Sequence, residues 1–275
     1  MTYQELWKSL SPRYGEHEAK AVARYLLEVG YDLSMADILG GATEHLSSDE
    51  MVENQRRLLN GEPVQYVVGK TEFGGRTFQV SPNVLIPRPE TYELCQWILS
   101  ESKGNESILD IGTGSGCIAI TLAAELPQSH VSAWDISEEA LCVARENARL
   151  NNVSVDCRQM DALNIPNNLT NKSAYDIIVS NPPYICQKEA TDMESHVLDH
   201  EPHRALFVPD DDPLLFYRAI ARHGLTALKE GGKLYFEINP VYVRELEEML
   251  DEMGYNNIET RKDQFGKERF TRAQR

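Results

Sequence analysis

The stretch Ile108-Leu109-Asp110-Ile111-Gly112-Thr113-Gly114-Ser115-Gly116-Cys117 decides the fold. It reads as an apolar strand, a glycine-rich turn and the start of an apolar helix over 116–125. Glycines in such a turn let a ligand approach the backbone, because no Cβ stands in the way. Asp135 follows Gly112 by 23 residues, at the end of the next expected strand, where a carboxylate can accept hydrogen bonds from both hydroxyls of a ribose. The pattern predicts a ligand that carries a nucleoside. The dinucleotide fingerprint Gly-x-Gly-x-x-Gly is not met, since Cys117 stands where its third glycine would fall. Asp110 adds an acid before the turn, suited to the amino group of an amino-acid moiety, and nothing here demands a pyrophosphate. Asp110, Gly112, Thr113, Gly114, Ser115, Gly116 and Asp135 therefore fit S-adenosylmethionine better than NAD.

Outward from this loop, strands are expected at Ser107–Ile111, 130–134, 153–157, 176–180 and 233–238. Helices are expected at 92–102, 116–125, Glu138–Leu150, 213–228 and 243–253. Alternation of the two predicts a doubly wound α/β sheet from about residue 91 to 275. Residues 1–75 read as a small helical domain: helix formers fill 19–27, Gly30 can end that helix, and Ser47 to Glu50 has capping-box spacing before a segment closed by Gly61. Residues 76–90 read as a hairpin or linker, with period-two alternation over 76–80 interrupted by Ser81-Pro82-Asn83.

The strand expected at 176–180 delivers Asn181-Pro182-Pro183-Tyr184 to the edge where open α/β sheets place ligands. An amide or amino nitrogen is a poor nucleophile because its lone pair is delocalised, so a catalyst must orient the group by accepting hydrogen bonds from its NH2. The Asn181 side-chain oxygen and the Pro182 carbonyl, held between φ-locked prolines, are two such acceptors. Tyr184 can pack flat on a planar amide or base. These four residues are the candidate catalytic and substrate-binding set.

The 275 residues carry a net charge of -16 and are 41% hydrophobic, enough for ordinary cores. That charge opposes a polyanionic partner, whose affinity comes mainly from Lys and Arg, so no direct nucleic-acid binding is expected. No run of eighteen or more apolar residues and no secretory signal appear, which predicts a cytoplasmic protein without a membrane span. Five scattered cysteines suggest neither disulfides nor a metal knuckle. His196, His200 and His203 read as a surface cluster broken by Pro202 rather than as metal ligands, so no metal is expected. Ser115 is not a hydrolase nucleophile, because Thr113 replaces the first glycine of Gly-x-Ser-x-Gly. Trp134 reads as core, and Asp210-Asp211-Asp212 as a solvated turn.

At these residues the chain resembles the HemK/PrmC family, the N5-glutamine methyltransferases of peptide-chain release factors. The likeness includes Gly61-Glu62-Pro63-Val64-Gln65-Tyr66, Gly69 and Phe73, then Leu85-Ile86-Pro87-Arg88-Pro89-Glu90-Thr91, the discriminating piece. It continues through the 112–116 loop, Asp135, Asn181-Pro182-Pro183-Tyr184, Glu201-Pro202, Ala205-Leu206, Gly266 and Arg269. The resemblance implies a Rossmann-like class I methyltransferase domain preceded by a small helical N-terminal domain that helps to bind the protein substrate. It implies methylation of the glutamine in a release factor's Gly-Gly-Gln motif, hence a role in translation termination, by a monomer. S-adenosylmethionine would be held by the 112–116 loop, Asp135, the Asp161-Ala162 turn and Asn181; the substrate would be held by residues 181–184 with Arg88 and Glu90. The chain departs from the family at Tyr92, often a glutamate, at Ala162, where an aromatic may flank the adenine, and at Phe207-Val208-Pro209, where Gly-Gly-x-Asp-Gly is common. Two other readings compete: an adenine-N6 methyltransferase using the same Asn-Pro-Pro-Tyr, and a noncatalytic nucleoside-binding adaptor.

Overall fold

The computed structural model describes residues 1–46, 48–166 and 173–275, without the side chains of Glu44, Asp192 and Ser195. Helix α1, Tyr3–Tyr25, starts well before the residues expected to be helical. Thr2 and Glu5 close a capping box at its start, and Gly15 (φ 72°, ψ 166°) bends it. Pro12 and Gly15 look like breakers in the sequence, yet Leu6 and Leu10 on the first segment are buried in the same core as Ala23, Leu26 and Leu58. Packing of that apolar face outweighs local propensity. The chain continues through a widened turn, Leu26–Gly30, and then α2, Met35–Leu39, α3, Ser48–Leu59, and α4, Val64–Val68. The Ser47 cap expected before α3 lies outside the described residues.

Two short strands follow, β1, Lys70–Phe73, and β2, Arg76–Gln79, paired antiparallel through Gly74-Gly75. The single strand expected at 76–80 is thus the second arm of a hairpin. Its first arm escaped notice because Thr71, a polar residue, shares the buried face with Phe73, so Lys70-Thr71-Glu72-Phe73 reads as polar rather than alternating. Phe73 and Phe78 meet edge-on and turn their apolar face toward α5, Pro89–Glu101.

The remaining elements alternate: β3, Ser107–Ile111; α6, Cys117–Glu125; β4, His130–Asp135; α7, Glu138–Leu150; β5, Asp156–Gln159; β6, Tyr175–Ser180. Then come β7, Ile185–Cys186; α8, Ser195–His200; β8, Phe207–Val208; α9, Leu215–Ala227; β9, Leu228–Glu237; α10, Val243–Glu252; β10, Asn256–Lys262; and β11, Glu268–Gln274. Seven strands form one sheet in the order β10-β11-β9-β6-β3-β4-β5. From β9 to β5 neighbouring strands are parallel, whereas β11 runs antiparallel to both β9 and β10. Side chains alternate across the sheet: Ile108 enters the core made with α5 and α6, while Leu109 and Ile111 enter the core made with α9 and α10.

Three expectations are corrected. The strand placed at 153–157 begins only at Asp156, because Asn152 (φ 55°) turns the chain and Ser132 pairs first with Asp156. The strand placed at 233–238 begins at Leu228. The β10 and β11 pair was not foreseen; β10 carries Glu259, Arg261 and Lys262 on an edge of the sheet, where charge discourages further pairing and hides the apolar signal. From β3 the chain winds one way to β4 and β5, then returns to β6 on the other side of β3. The crevice at the carboxyl ends of β3 and β6 is therefore the place where such sheets bind ligands.

Candidate active site

The turn after β3 is tied to the end of β4: the Gly112 and Thr113 amides both donate to the Trp134 carbonyl, at 2.8 and 2.9 Å. The Thr113 hydroxyl donates to Asp110 Oδ2 at 2.6 Å, and the Gly114 amide donates to Asp135 Oδ2 at 2.8 Å. Asp135 Oδ1 accepts the Ser137 amide at 2.9 Å, so both oxygens are oriented from the backbone while each keeps a lone pair. Burial pushes the Asp135 carboxyl up, with the Ser137 and Gly114 amides and the Arg204 charge pulling it down. Asp110 is wholly buried, and that burial lifts it to about 7 against the pull of the Thr113 hydroxyl and the Ala119 amide. Its Oδ1 has no hydrogen-bond partner among the described residues.

Gly112 and Gly114 have φ of 75° and 54°, and a Cβ added at either would meet no atom within 4 Å. The turn thus shows bare backbone to a cavity of about 320 Å³, within the size range of small-molecule sites. Thr113, Ser115, Asp135, Asp161, Ala162 and Asn181 also line it. Asp110 and Gly116 do not; Gly116 instead lets α6 approach Ala144 of α7. The Asp161 carboxylate is engaged in its own turn, accepting from the Leu163 amide and the Asn164 side chain. An open glycine cradle and a ribose-suited acid together fit a nucleoside ligand, while the orphaned Asp110 oxygen is buried behind the turn rather than on the cavity wall.

A second cavity, about 240 Å³, opens from the same Asn181 and is bounded by Tyr184, Leu85, Val197 and Glu237, with Arg88 shared between the two cavities. Residues 181–184 leave β6 at the switch point, where Ser180 Oγ donates to the Ile111 carbonyl at 2.6 Å and joins the two loops. Asn181 Nδ2 points to Thr91 Oγ1 at 3.4 Å, so its Oδ1 is turned elsewhere. The Tyr184 carbonyl accepts from Asn239 Nδ2 at 3.0 Å, and the Tyr184 hydroxyl donates to Glu237 Oε1 at 3.2 Å. Burial pushes the Tyr184 phenol up, so it keeps its proton.

Arg88 pairs with Glu201 at 2.5 Å, and the same carboxylate, whose side chain has no exposed surface, accepts the Ile86 amide at 3.3 Å. Glu90 lines neither cavity and stands on the first turn of α5. Tyr92 packs edge-on to Phe73, and its ring would block any Cβ at Gly74, which places it under the hairpin. Val208 pairs with Cys186 in the short β7–β8 ladder.

The sequence reading missed several residues that position these loops. Glu237, 2% exposed at the end of β9, accepts from Thr91 Oγ1 at 2.7 Å as well as from Tyr184. Asn147 on α7 donates to the carbonyls of Ser115 and Gln79 and accepts the Gln79 amide, coupling the hairpin to the glycine loop. A carboxylate inside the apolar run Leu234-Tyr235-Phe236-Glu237-Ile238 was the available signal for Glu237. The histidine cluster makes no metal-like set: His203 Nε2 bonds the Leu198 carbonyl, and no group of three or more potential ligands converges among the described residues. No described helix is long and apolar enough to cross a membrane.

A family model described as "Methyltransferase small domain" matches residues 94–206. The human methyltransferase 10 domain containing protein superposes with a TM-score of 0.52 at 19% identity, over 73% of this chain and 89% of that one, a likeness of fold alone. Sheet order, switch-point loops and family model define a Rossmann-like class I methyltransferase, a class of enzymes that use S-adenosylmethionine. A release factor glutamine methyltransferase of Bacteroides thetaiotaomicron is 46% identical over 98% of this chain and 97% of its own length. One of Flavobacterium psychrophilum is 39% identical over 97% and 95%. The chain belongs to the release factor glutamine methyltransferase family.

Proposed function

We propose that this enzyme methylates the side-chain amide nitrogen, N5, of the glutamine in the Gly-Gly-Gln motif of a peptide-chain release factor in the cytoplasm. One observation carries the reading: the cavity under the glycine loop and the cavity beside Tyr184 meet at Asn181. Asp135 would take the ribose hydroxyls of S-adenosylmethionine, the 112–116 backbone its amino-acid end, and Asp161-Ala162 the base side. Bound there, the sulfonium supplies an electrophilic methyl group. Asn181 Oδ1 and the Pro182 carbonyl accept both hydrogens of the glutamine NH2 and hold its nitrogen toward the first cavity. Such orientation is worth roughly 7–11 kcal/mol at best. As the N–C bond forms, the nitrogen becomes acidic and gives up one proton to the acceptors around it, so no strong general base is needed. Tyr184 packs against the planar amide, and Arg88, clamped by Glu201, shapes the wall between the cavities.

Incubation with labelled S-adenosylmethionine and a recombinant release factor, with mass spectrometry locating the label, tests this. Methyl on the motif glutamine, strongly reduced with Asn181→Ala and absent when that glutamine is replaced, is the expected result. Label in nucleic acid but not in protein would establish the adenine reading instead. Cofactor binding with no transfer to either would favour the adaptor.

A further inference from the structure

We propose that Glu237 is the positioning residue that decides which end of the Asn181 amide faces the substrate; the inference rests on the glutamine-methylation reading above. A primary amide presents an oxygen on one side and an NH2 on the other, nearly equal in shape, and only hydrogen-bond partners tell them apart. The partner of Asn181 is the Thr91 hydroxyl, at 3.4 Å, and a hydroxyl by itself serves either end, since it can donate or accept.

Glu237 removes that ambiguity. The Thr91 hydroxyl has one proton, and at 2.7 Å it is given to Glu237 Oε2. Only lone pairs then remain toward Asn181, so the NH2 must turn to Thr91 and Oδ1 must turn away. The acceptor that a glutamine NH2 needs is thereby selected by a residue 56 positions further along the chain. The second carboxylate oxygen takes the Tyr184 hydroxyl at 3.2 Å, so one buried group orients both side chains of the reaction loop. Thr91 is 2% exposed, like Glu237, so bulk water does not compete for these bonds. Arg269, paired with Asp263 at 3.2 Å, supplies the positive charge that eases Glu237, while the Glu90 carboxylate opposes it.

The chain of donors makes a prediction that a merely structural carboxylate would not. Glu237→Gln can keep its carbonyl on Thr91 and place its NH2 on the Tyr184 oxygen, so the direction of every bond to Asn181 survives. Glu237→Met cannot. Using full-length enzyme and a release factor substrate, Glu237→Gln is expected within about threefold of wild-type kcat and Glu237→Met about thirtyfold below it. The KM for S-adenosylmethionine should stay within about twofold in both. Thr91→Val, nearly isosteric, should lower kcat about tenfold and weaken calorimetric binding of a Gly-Gly-Gln peptide. In an Asn181→Ala background the same Thr91→Val should change the residual single-turnover rate less than about twofold, because its effect passes through Asn181.

Multiplicative losses in that cycle, or full activity in Glu237→Met, would overturn the inference, as would Glu237→Gln failing as badly as Glu237→Met. If Glu237→Met does not fold, the Thr91 and Asn181 cycle decides alone. A wild-type enzyme that leaves the release factor unmethylated overturns the function reading and this inference with it; a wild type that methylates while the cycle is multiplicative overturns this inference only.

Discussion

Replacing Asp110 with asparagine should make the protein more stable at pH 8 than at pH 5, relative to wild type. The carboxyl is lifted to about 7 in the folded chain from 3.8 ordinarily, because it is fully buried and that burial outweighs the pull of the Thr113 hydroxyl and the Ala119 amide. The unfolded chain releases this proton more readily, so the group costs no stability below about pH 4. The cost grows by about 1.4 kcal/mol per pH unit until about pH 7 and is then constant. Between pH 5 and pH 8 the wild type should lose on the order of 2–3 kcal/mol that Asp110→Asn does not lose. Asparagine keeps an oxygen for Thr113, so any fixed penalty of the substitution is shared by both pH values and cancels from the comparison. At 2–4 °C per kcal/mol this is a relative gain in Tm of roughly 5–10 °C, measurable by calorimetry of both proteins across the range. A variant whose Tm difference from wild type does not change with pH would refute the argument that Asp110 is a strained buried carboxyl. Under the proposed function a cationic ligand end near the turn relieves the same cost. The thermal shift caused by S-adenosylmethionine should therefore grow from pH 6 to pH 8 in wild type and stay flat in Asp110→Asn.

Other expectations follow from the same geometry. In Gly116→Ala the new Cβ would lie 2.8 Å from Ile120 Cδ1 and 3.2 Å from Ala144 Cβ at φ +81°, so it should cost roughly 1–3 kcal/mol in denaturant unfolding. Gly114→Ala meets no atom and should cost less stability while weakening S-adenosylmethionine binding more; equal losses of both properties in the two variants would contradict the cradle. Glu201→Ala leaves Arg88 and the Ile86 amide without their carboxylate and should destabilise by about 2 kcal/mol, less than the ~3–5 of a fully buried pair because Arg88 is one-third exposed. Burial raises the Glu237 carboxyl, with Thr91, Arg269 and Tyr184 lowering it and Glu90 raising it, so its proton returns above the ordinary glutamate range. Protonated on Oε1, Glu237 can still accept from Thr91 and donate to the Tyr184 oxygen as glutamine would, so the acid sides of the pH–rate profiles of wild type and Glu237→Gln should coincide; an acid limb present only in wild type would show that protonation turns the Thr91 bond round.

Local sequence was enough for much of this protein. Ser107–Ile111 and Glu138–Leu150 were read to the residue, because a short apolar strand closed by glycines and a helix with apolar residues on one face are patterns written within one element. The glycine turn, Asp135 and the Asn181 loop were also legible, since each lies at the end of its strand and parallel strands bring their carboxyl ends to one edge. What joins them was not. Asn181 reaches Thr91 across 90 positions, Thr91 reaches Glu237 across 146, and Asn147 ties Gln79 to Ser115 from a third element. No period records such contacts, because their partners are chosen by which strands become neighbours. The same holds for the long α1, where burial of Leu6 and Leu10 outweighs Pro12 and Gly15, and for β10 and β11, whose pairing depends on β9 offering a free edge. Sequence alone determined which chemical groups are present and at which strand ends they emerge. Tertiary structure decided how each is turned, because the direction of a buried hydrogen bond depends on donors and acceptors far apart in the chain and close in space.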